Sequence, residues 1–260
     1  MMSGTVLGRM VLGLLVTCAT PVAAQTTVTT GLDHSTGTFG TGQRIDTSGA
    51  SVGVRIKRKR VGVFANLPVV RVDAPENVVV AGGPLGLPIL IDPTRPATRK
   101  QRSGLGDATV GASVQLVEPR QNHVALAVTT AAKLPTASAA RGLGTGKADF
   151  SVGAEVARPG KLTPFAALGY TVVGQPSAYR LENVTTARGG VALRVGSASE
   201  VSLSYNHASR VSAAAADREQ VAAGLETNLS PRLSLGVQGS AGLSRGAPDA
   251  SAGVQLGLRL

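Results

Sequence analysis

Between residues 103 and 135 apolar and polar side chains alternate one by one. Val110, Ala112, Val114 and Leu116 fall on one parity, and Thr109, Gly111, Ser113 and Gln115 on the other, the period-2 signature of a strand whose two faces meet different surroundings. A turn of about five residues, EPRQN, leads into a second alternating run, so the pair reads as an antiparallel hairpin. The same unit recurs along the chain, giving candidate strands at about 25–35, 48–58, 61–71, 105–117, 122–133, 148–158, 162–173, 185–197, 199–209, 217–229, 232–244 and 249–260, each boundary good to a few residues. Roughly ten alternating residues are what a tilted strand needs to cross a bilayer. The expected fold is therefore all-β, an antiparallel up-and-down transmembrane β-barrel of about twelve strands.

The connections carry the same message. Short turns at Lys59-Arg60, Arg120-Gln121, Pro159-Gly160, Ala198-Ser199 and Pro231 alternate with connections that are mostly longer and richer in Gly, Pro and charge, the longest spanning residues 72–104. Only the last hairpin, through Arg245 and Pro248, departs from this rhythm. Short turns on one side, long loops on the other and both termini on the short-turn side are the plan of an outer-membrane barrel. In the final strand Val254, Leu256, Leu258 and Leu260 oppose Ser251, Gly253, Gln255, Gly257 and Arg259; near residue 235, Leu233, Leu235 and Val237 oppose Ser234, Gly236 and Gln238. Near residue 54, Val52, Val54 and Ile56 oppose Ser51, Gly53, Arg55 and Lys57. With the apolar parity on lipid, the lumen is expected to carry Arg55, Lys57, Lys133, Glu155, Arg194, Glu226 and Arg259, which either line a conducting pore or pair across a plugged one.

Composition adds a compartment. Arg9, an apolar run up to Cys18 and the small residues Val22-Ala23-Ala24 form a cleaved secretory signal peptide over residues 1–24, leaving 25–260 as the barrel. The single cysteine lies in that leader, so the mature chain has neither a disulfide framework nor a Cys-based metal site. No other stretch reaches 18 consecutive apolar residues, the length of a membrane helix. An exported chain with amphipathic strands is expected in the outer membrane of a Gram-negative bacterium, with outer-membrane lipid, a small-molecule solute and the barrel-assembly machinery as partners. The 33 Gly and few aromatics suit two-faced strands more than the core of a soluble sandwich, although barrels usually carry fuller aromatic girdles. The formal charge of +11 raises nucleic-acid binding. Yet the basic residues are spread along the chain, no recognition motif accompanies them, and the densest run, 55–60, ends a strand and enters a turn, so no nucleic-acid partner is expected.

Two stretches invite chemistry. Gly142-Leu143-Gly144-Thr145-Gly146-Lys147 resembles a phosphate loop, but Arg141 stands where its first Gly is required and Ala148 where Ser or Thr would hold magnesium. It reads as an outer loop, and no cofactor is expected. His207 and Ser209 share the lipid-side parity with Val201 and Leu203, as in the His-x-Ser signature of outer-membrane lipid hydrolases, with Glu219 or Asp217 available to orient the imidazole. Arg210 stands where those enzymes carry Asn. His34 and His123 lie near opposite rims, so no metal site is expected. Asp107 and Asp149 each open a strand and are expected to tie loop amides at the outer rim.

Taken in order, Thr38-Phe39-Gly40, Asn66-Leu67-Pro68, Ser103-Gly104-Leu105-Gly106-Asp107, Lys133-Leu134-Pro135-Thr136, the run from Gly142 through Lys147 to Asp149, and Gly169-Tyr170 resemble the outer-membrane proteins of the meta-pathway of phenol degradation family. The motifs cover most of the mature chain. The resemblance implies a transporter-like barrel that passes small hydrophobic or aromatic compounds; the chain departs from it in having fewer aromatics and in ending on Leu260. The function expected is passive: a channel for small solutes, no enzyme, with the loop at 72–104 as constriction or lid. The alternatives are a lipid hydrolase using His207 and Ser209, and a non-conducting structural or adhesive barrel.

Overall fold

The computed structural model describes residues 24–80, 89–92, 94–177 and 180–260. The expected leader, save Ala24, and part of the expected lid, 81–88 and 93, lie outside the described residues. The strands are β1 (Gln25–Gly37), β2 (Ile45–Arg58), β3 (Val61–Pro75), β4 (Val78–Val80), β5 (Ile89–Ile91), β6 (Arg99–Leu105), β7 (Ala108–Val117), β8 (Ala125–Leu134), β9 (Asp149–Ala157), β10 (Leu162–Val172), β11 (Val184–Val195), β12 (Ser199–Ala208), β13 (Arg218–Asn228), β14 (Leu233–Gly242) and β15 (Ala250–Arg259). Twelve of them close an antiparallel barrel in the order β1, β2, β3, then β7 through β15 and back to β1. Closure joins the first strand to the last, with Thr27 opposite Arg259 and Thr36 opposite Ala250. Each barrel strand lies within four residues of its expected span, the largest difference being at the end of β3.

Three strands were not anticipated. β6 and β7 run along the same neighbour, β3, with Leu105 opposite Val69 and Thr109 opposite Asn66. The register slips by one residue between them, a bulge at Gly106, whose N–H donates to the Pro68 carbonyl at 2.9 Å. Proline has no N–H to give back, so the ladder is interrupted on both sides of this point. β3 and β6 continue upward as a flap beyond the β7 pairing. β4 and β5 form a separate short hairpin.

The parity rule holds around the wall. Val52, Val54, Ile56, Val63, Leu67, Val69, Val152, Leu168, Leu203, Val237, Val254, Leu256 and Leu258 are exposed on the outer surface, where hydrocarbon rather than water is the compatible solvent. Phe150, Tyr170 and Tyr205 also face outward, toward the long-loop end of β9, β10 and β12, a partial aromatic girdle on one side of the outer interface. Apolar burial concentrates at that same end. Val70, Val72 and Ala74 on the inward face of β3 pack with Phe39, Ile45, Val78, Val80, Ala137 and Leu143. A second cluster joins Val79 and Leu90 to Val173, Leu181, Val184, Ala208 and Val211. In the ring of strands β12 stands opposite β3, so the β4–β5 hairpin reaches across the mouth and packs on both walls.

Candidate functional site

Inside the wall the second parity leaves a polar lumen. A cavity of about 350 Å³ occupies the short-turn half, lined among others by Thr29, Arg55, Phe64, Phe165, Glu200, Glu226 and Gly257. A second, of about 390 Å³, lies under the mouth, between Phe39, Thr47, Val70, Val80, Leu143 and Pro248. Asp33, Ser51, Asn66, Thr109, Arg188 and Gln238 border both, so the two meet at that level.

Two constructions of the same kind stand in the lower cavity. Phe64 projects inward from β3, Arg55 lies opposite it on β2, and the guanidinium carbon sits 5.1 Å from the ring centre. Phe165 projects from β10, and the Arg188 guanidinium lies 5.0 Å from its centre. Each ring lies over a glycine of the next strand: a Cβ on Gly111 would meet Phe64 Cζ at 2.4 Å, and one on Gly190 would meet Phe165 Cζ at 2.8 Å. The glycine supplies a flat floor, the ring covers it, and the guanidinium stacks on the ring. Arg188 is also paired with Glu155 on β9. Two charges in register, Arg194 and Glu200 across β11 and β12, followed by Glu226 on β13, continue the charged belt. Lys57 and Arg259 stand inward nearer the short-turn end, half-buried.

Arg55, Lys57, Glu155, Arg194, Glu226 and Arg259 thus all project to the inner side. Lys133 is a correction. It has the inward parity, but its side chain is 0% exposed and held between Asp107 (3.2 Å) and Asp149 (3.0 Å), so it does not line open lumen. Its ammonium also donates to Thr145 Oγ1 at 3.3 Å. The two aspartates tie loop amides: Asp107 accepts from Ala137 N–H at 3.0 Å and Asp149 from Gly174 N–H at 2.9 Å. Thr136 completes the node, donating to the Gly106 carbonyl and accepting from Ala108 N–H, both at 2.8 Å. The short motifs scattered between residues 103 and 149 therefore converge on one buried ion cluster at the outer rim. The glycine-rich loop belongs to it, with Gly142 and Gly146 at φ 67° and 69° following a 3-10 turn at Ala139–Arg141.

Arg188, Glu200, Phe64 and Phe165 were not singled out from the sequence. Parity could have found them: Arg188 is in phase with Arg194, Glu200 with Ser202 and Ser204, and Phe64 with Gly62 and Asn66.

The His207-Ser209 pair does not assemble. His207 lies outside the wall with Nδ1 3.8 Å from Glu219 Oε1, beyond hydrogen-bond length. Ser209 Oγ accepts from the Thr185 N–H at 3.0 Å. Asp217 accepts from the Arg210 N–H at 2.8 Å. Ser209 thus serves the backbone ladder beyond the end of β12, and each acid has a different geometry from that of a base-orienting partner.

The mouth is pinned by arginine. Buried Arg102 on β6 donates to the carbonyls of Val78 (2.9 Å), Arg141 (3.1 Å), Pro75 (3.3 Å) and Glu76 (3.4 Å). Arg95 donates to the carbonyls of Ala139 (2.6 Å) and Ala140 (3.2 Å) and to Asp92 (3.0 Å). β4 is further tied by Val80 N–H to the Gly142 carbonyl at 3.1 Å.

A search of curated protein sequences finds no match. Among solved structures, the COG4313 outer membrane channel from Pseudomonas putida F1 superposes with a TM-score of 0.69 at 14% identity, over 93% of this chain and 97% of that one. The translocator domain of the autotransporter NalP from Neisseria meningitidis gives 0.54 at 11% identity over 93% and 90%, and the NanC porin 0.52 at 10% over 92% and 100%. At these identities the likeness is one of fold. A protein-family profile matches residues 20–260, nearly the whole chain, and the chain belongs to the family described as "Putative MetA-pathway of phenol degradation".

Proposed function

We propose that this chain is a channel of the outer membrane for small solutes, anions and aromatic carboxylates among them. The observation that carries the reading is the pair of adjoining cavities inside a closed barrel, with a belt in which Arg55, Lys57, Arg188, Arg194 and Arg259 outnumber Asp33, Glu155, Glu200 and Glu226. In a narrow, low-dielectric passage such an excess attracts anions. The faces of Phe64 and Phe165 offer a flat apolar surface beside the guanidinium groups, and the family description points to aromatic metabolism. The likeness in fold to the outer membrane channel of Pseudomonas putida F1 supports the same reading. The β4–β5 hairpin acts as the lid, and delivery to the membrane runs through a cleaved leader and the barrel-assembly machinery.

No bond is made or broken in this function. Planar-bilayer recording of the refolded chain tests it. Discrete conductance steps with anion preference are expected, and replacing Arg55, Lys57 and Arg194 with Gln lowers that preference. A folded, inserted barrel that stays silent removes the channel; unchanged selectivity in the triple variant removes the role of these charges.

A further inference from the structure

The outer face of β1, β2, β3 and β6 changes character within one row of side chains. Leu32, Ala50, Val69 and Leu105 lie side by side in register across the four strands. Leu32, Val69 and Leu105 are 61%, 49% and 49% exposed, bare apolar surface of the kind that belongs in acyl chain. Two residues further along each strand, about 7 Å toward the loops, the row reads His34, Ser48, Arg71 and Ser103. All four are exposed. The change from leucine and valine to arginine, histidine and serine marks where hydrocarbon ends and headgroups begin.

Arg71 is the charge at the centre of this row, and its guanidinium has no hydrogen bond or ion pair within the described residues. The acids of the next row up are engaged elsewhere: Asp46 with Arg44 (3.5 Å) and Arg99 (3.3 Å), and Asp73 with Arg99 (2.9 Å). Ser48 and Ser103 stand directly across from Arg71 on either side, about 5 Å away along the ladder. Ser48 Oγ is 3.0 Å from His34 Nδ1, which fixes its position. Arg141 donates to the Ser103 carbonyl at 3.3 Å from the inward side of β6, where it lies near Gly104 and Leu143, so it leaves the outer row to Arg71. The result is an exposed guanidinium flanked by two serine hydroxyls at headgroup depth, directly above a bare acyl-binding surface. Guanidinium and hydroxyl groups in that arrangement match a phosphate monoester, which accepts several hydrogen bonds at once.

We propose that Arg71, with Ser48 and Ser103 beside it, binds the phosphate of a phosphorylated outer-leaflet lipid whose acyl chains lie over Leu32, Val69 and Leu105. The site is separate from the lumen, and it rests only on the reading of the barrel as an outer-membrane protein. A lipid phosphate there replaces the acid that the row lacks.

Native mass spectrometry of the full mature barrel in detergent tests this. The probes are diphosphorylated hexa-acyl lipid A, the same lipid without its phosphates, and inorganic phosphate. One phosphorylated lipid is expected per barrel. Arg71→Gln lowers occupancy at least about fivefold, Arg71→Lys gives an intermediate value because it keeps the charge without the planar guanidinium, and Arg210→Gln, at the same end of the barrel on the far wall, changes nothing. Heat-modifiable mobility and insertion into liposomes, scored separately on each variant, report the barrel reading itself; should Arg71→Gln not fold, the paired Ser48→Ala and Ser103→Ala replacements take its place and are expected to lower occupancy as well. Equal binding of the dephosphorylated lipid, wild-type occupancy in the folded variants, or complete displacement by inorganic phosphate would each overturn the proposal.

Discussion

Replacing Lys133 with Met tests the outer-rim node most severely. The ammonium is fully enclosed, 3.2 Å from Asp107 and 3.0 Å from Asp149, and the Asp107 side chain is itself 0% exposed. Methionine fills nearly the same volume, so the change removes charge rather than packing. Truncating one partner of a buried pair costs about 3–5 kcal/mol because the remaining charge keeps its desolvation penalty without its counter-ion. Burial already pushes the Asp107 carboxyl up from its ordinary value, against the pull of Lys133. Without the lysine it takes up a proton, which limits the loss to the lower part of that range, about 3 kcal/mol. A folded-state carboxyl with a raised pKa is favoured by acid, so the deficit shrinks as pH falls. Adding Asp107→Asn and Asp149→Asn should recover most of the loss, since an amide oxygen can still accept from the Ala137 and Gly174 amides. Urea titration of the folded and unfolded gel bands in lipid vesicles gives the three stabilities. A Lys133→Met barrel within about 1 kcal/mol of wild type would refute the account of the node as a buried ion cluster.

Other expectations follow from the mouth and the lumen. Arg102→Ala leaves the carbonyls of Pro75, Glu76, Val78 and Arg141 without their donor; limited proteolysis near residues 76–80 should speed up about tenfold or more while the strands stay protected. Gly111→Val places a side chain where Phe64 Cζ would be 2.4 Å and the Thr130 carbonyl 2.5 Å away. It should cost about 1–3 kcal/mol in the same urea titration by displacing the ring, and unchanged stability would contradict the glycine floor. Asp92, beside the lid, is pushed up by burial, but hydrogen bonds from Thr94 and Arg95 outweigh this and hold its carboxyl below the ordinary 3.8. A depressed carboxyl contributes stability above its unfolded pKa and loses it as pH falls. Lid protection against an acid-stable protease should therefore decline as pH drops below about 4, and Asp92→Asn should flatten that decline.

The strands were legible because a membrane wall enforces one rule along its whole length: every second side chain meets lipid, and the others meet the lumen. β2, β14 and β15 obey it residue by residue. The rule fails where the surroundings stop alternating. β6, with Arg99, Lys100, Gln101 and Arg102 in succession, rises above the apolar band, so nothing forces an apolar parity on it. β4 is three consecutive valines, buried from both sides by opposite walls of the mouth, and a run that short has no period to read. The lumen charges could be placed by parity, but their partners could not. Asp149 stands directly across from Lys133 on β9, but Asp107 reaches it from the β6–β7 junction, and the pairing of Arg188 with Glu155 spans one intervening strand. Neither distance is written in sequence spacing. The hydrolase pairing failed for a local reason: Ser209 lies just past the strand end, where an unpaired backbone N–H, that of Thr185, claims its hydroxyl.

Closure of β1 on β15 has a kinetic side. The seam is as extensive as most of the other pairings, running from Thr27 opposite Arg259 to Thr36 opposite Ala250, yet it joins the first strand to the last. Each hairpin can zip locally as it is delivered, whereas the seam has to wait for the final ten residues. Until they arrive, both border strands present unpaired N–H and C=O groups, which lipid cannot satisfy. A chain truncated before β15 would be left as a sheet with two open edges rather than a smaller barrel. Those edges would template further pairing, and aggregation, more than slow insertion, is the fate such a fragment faces.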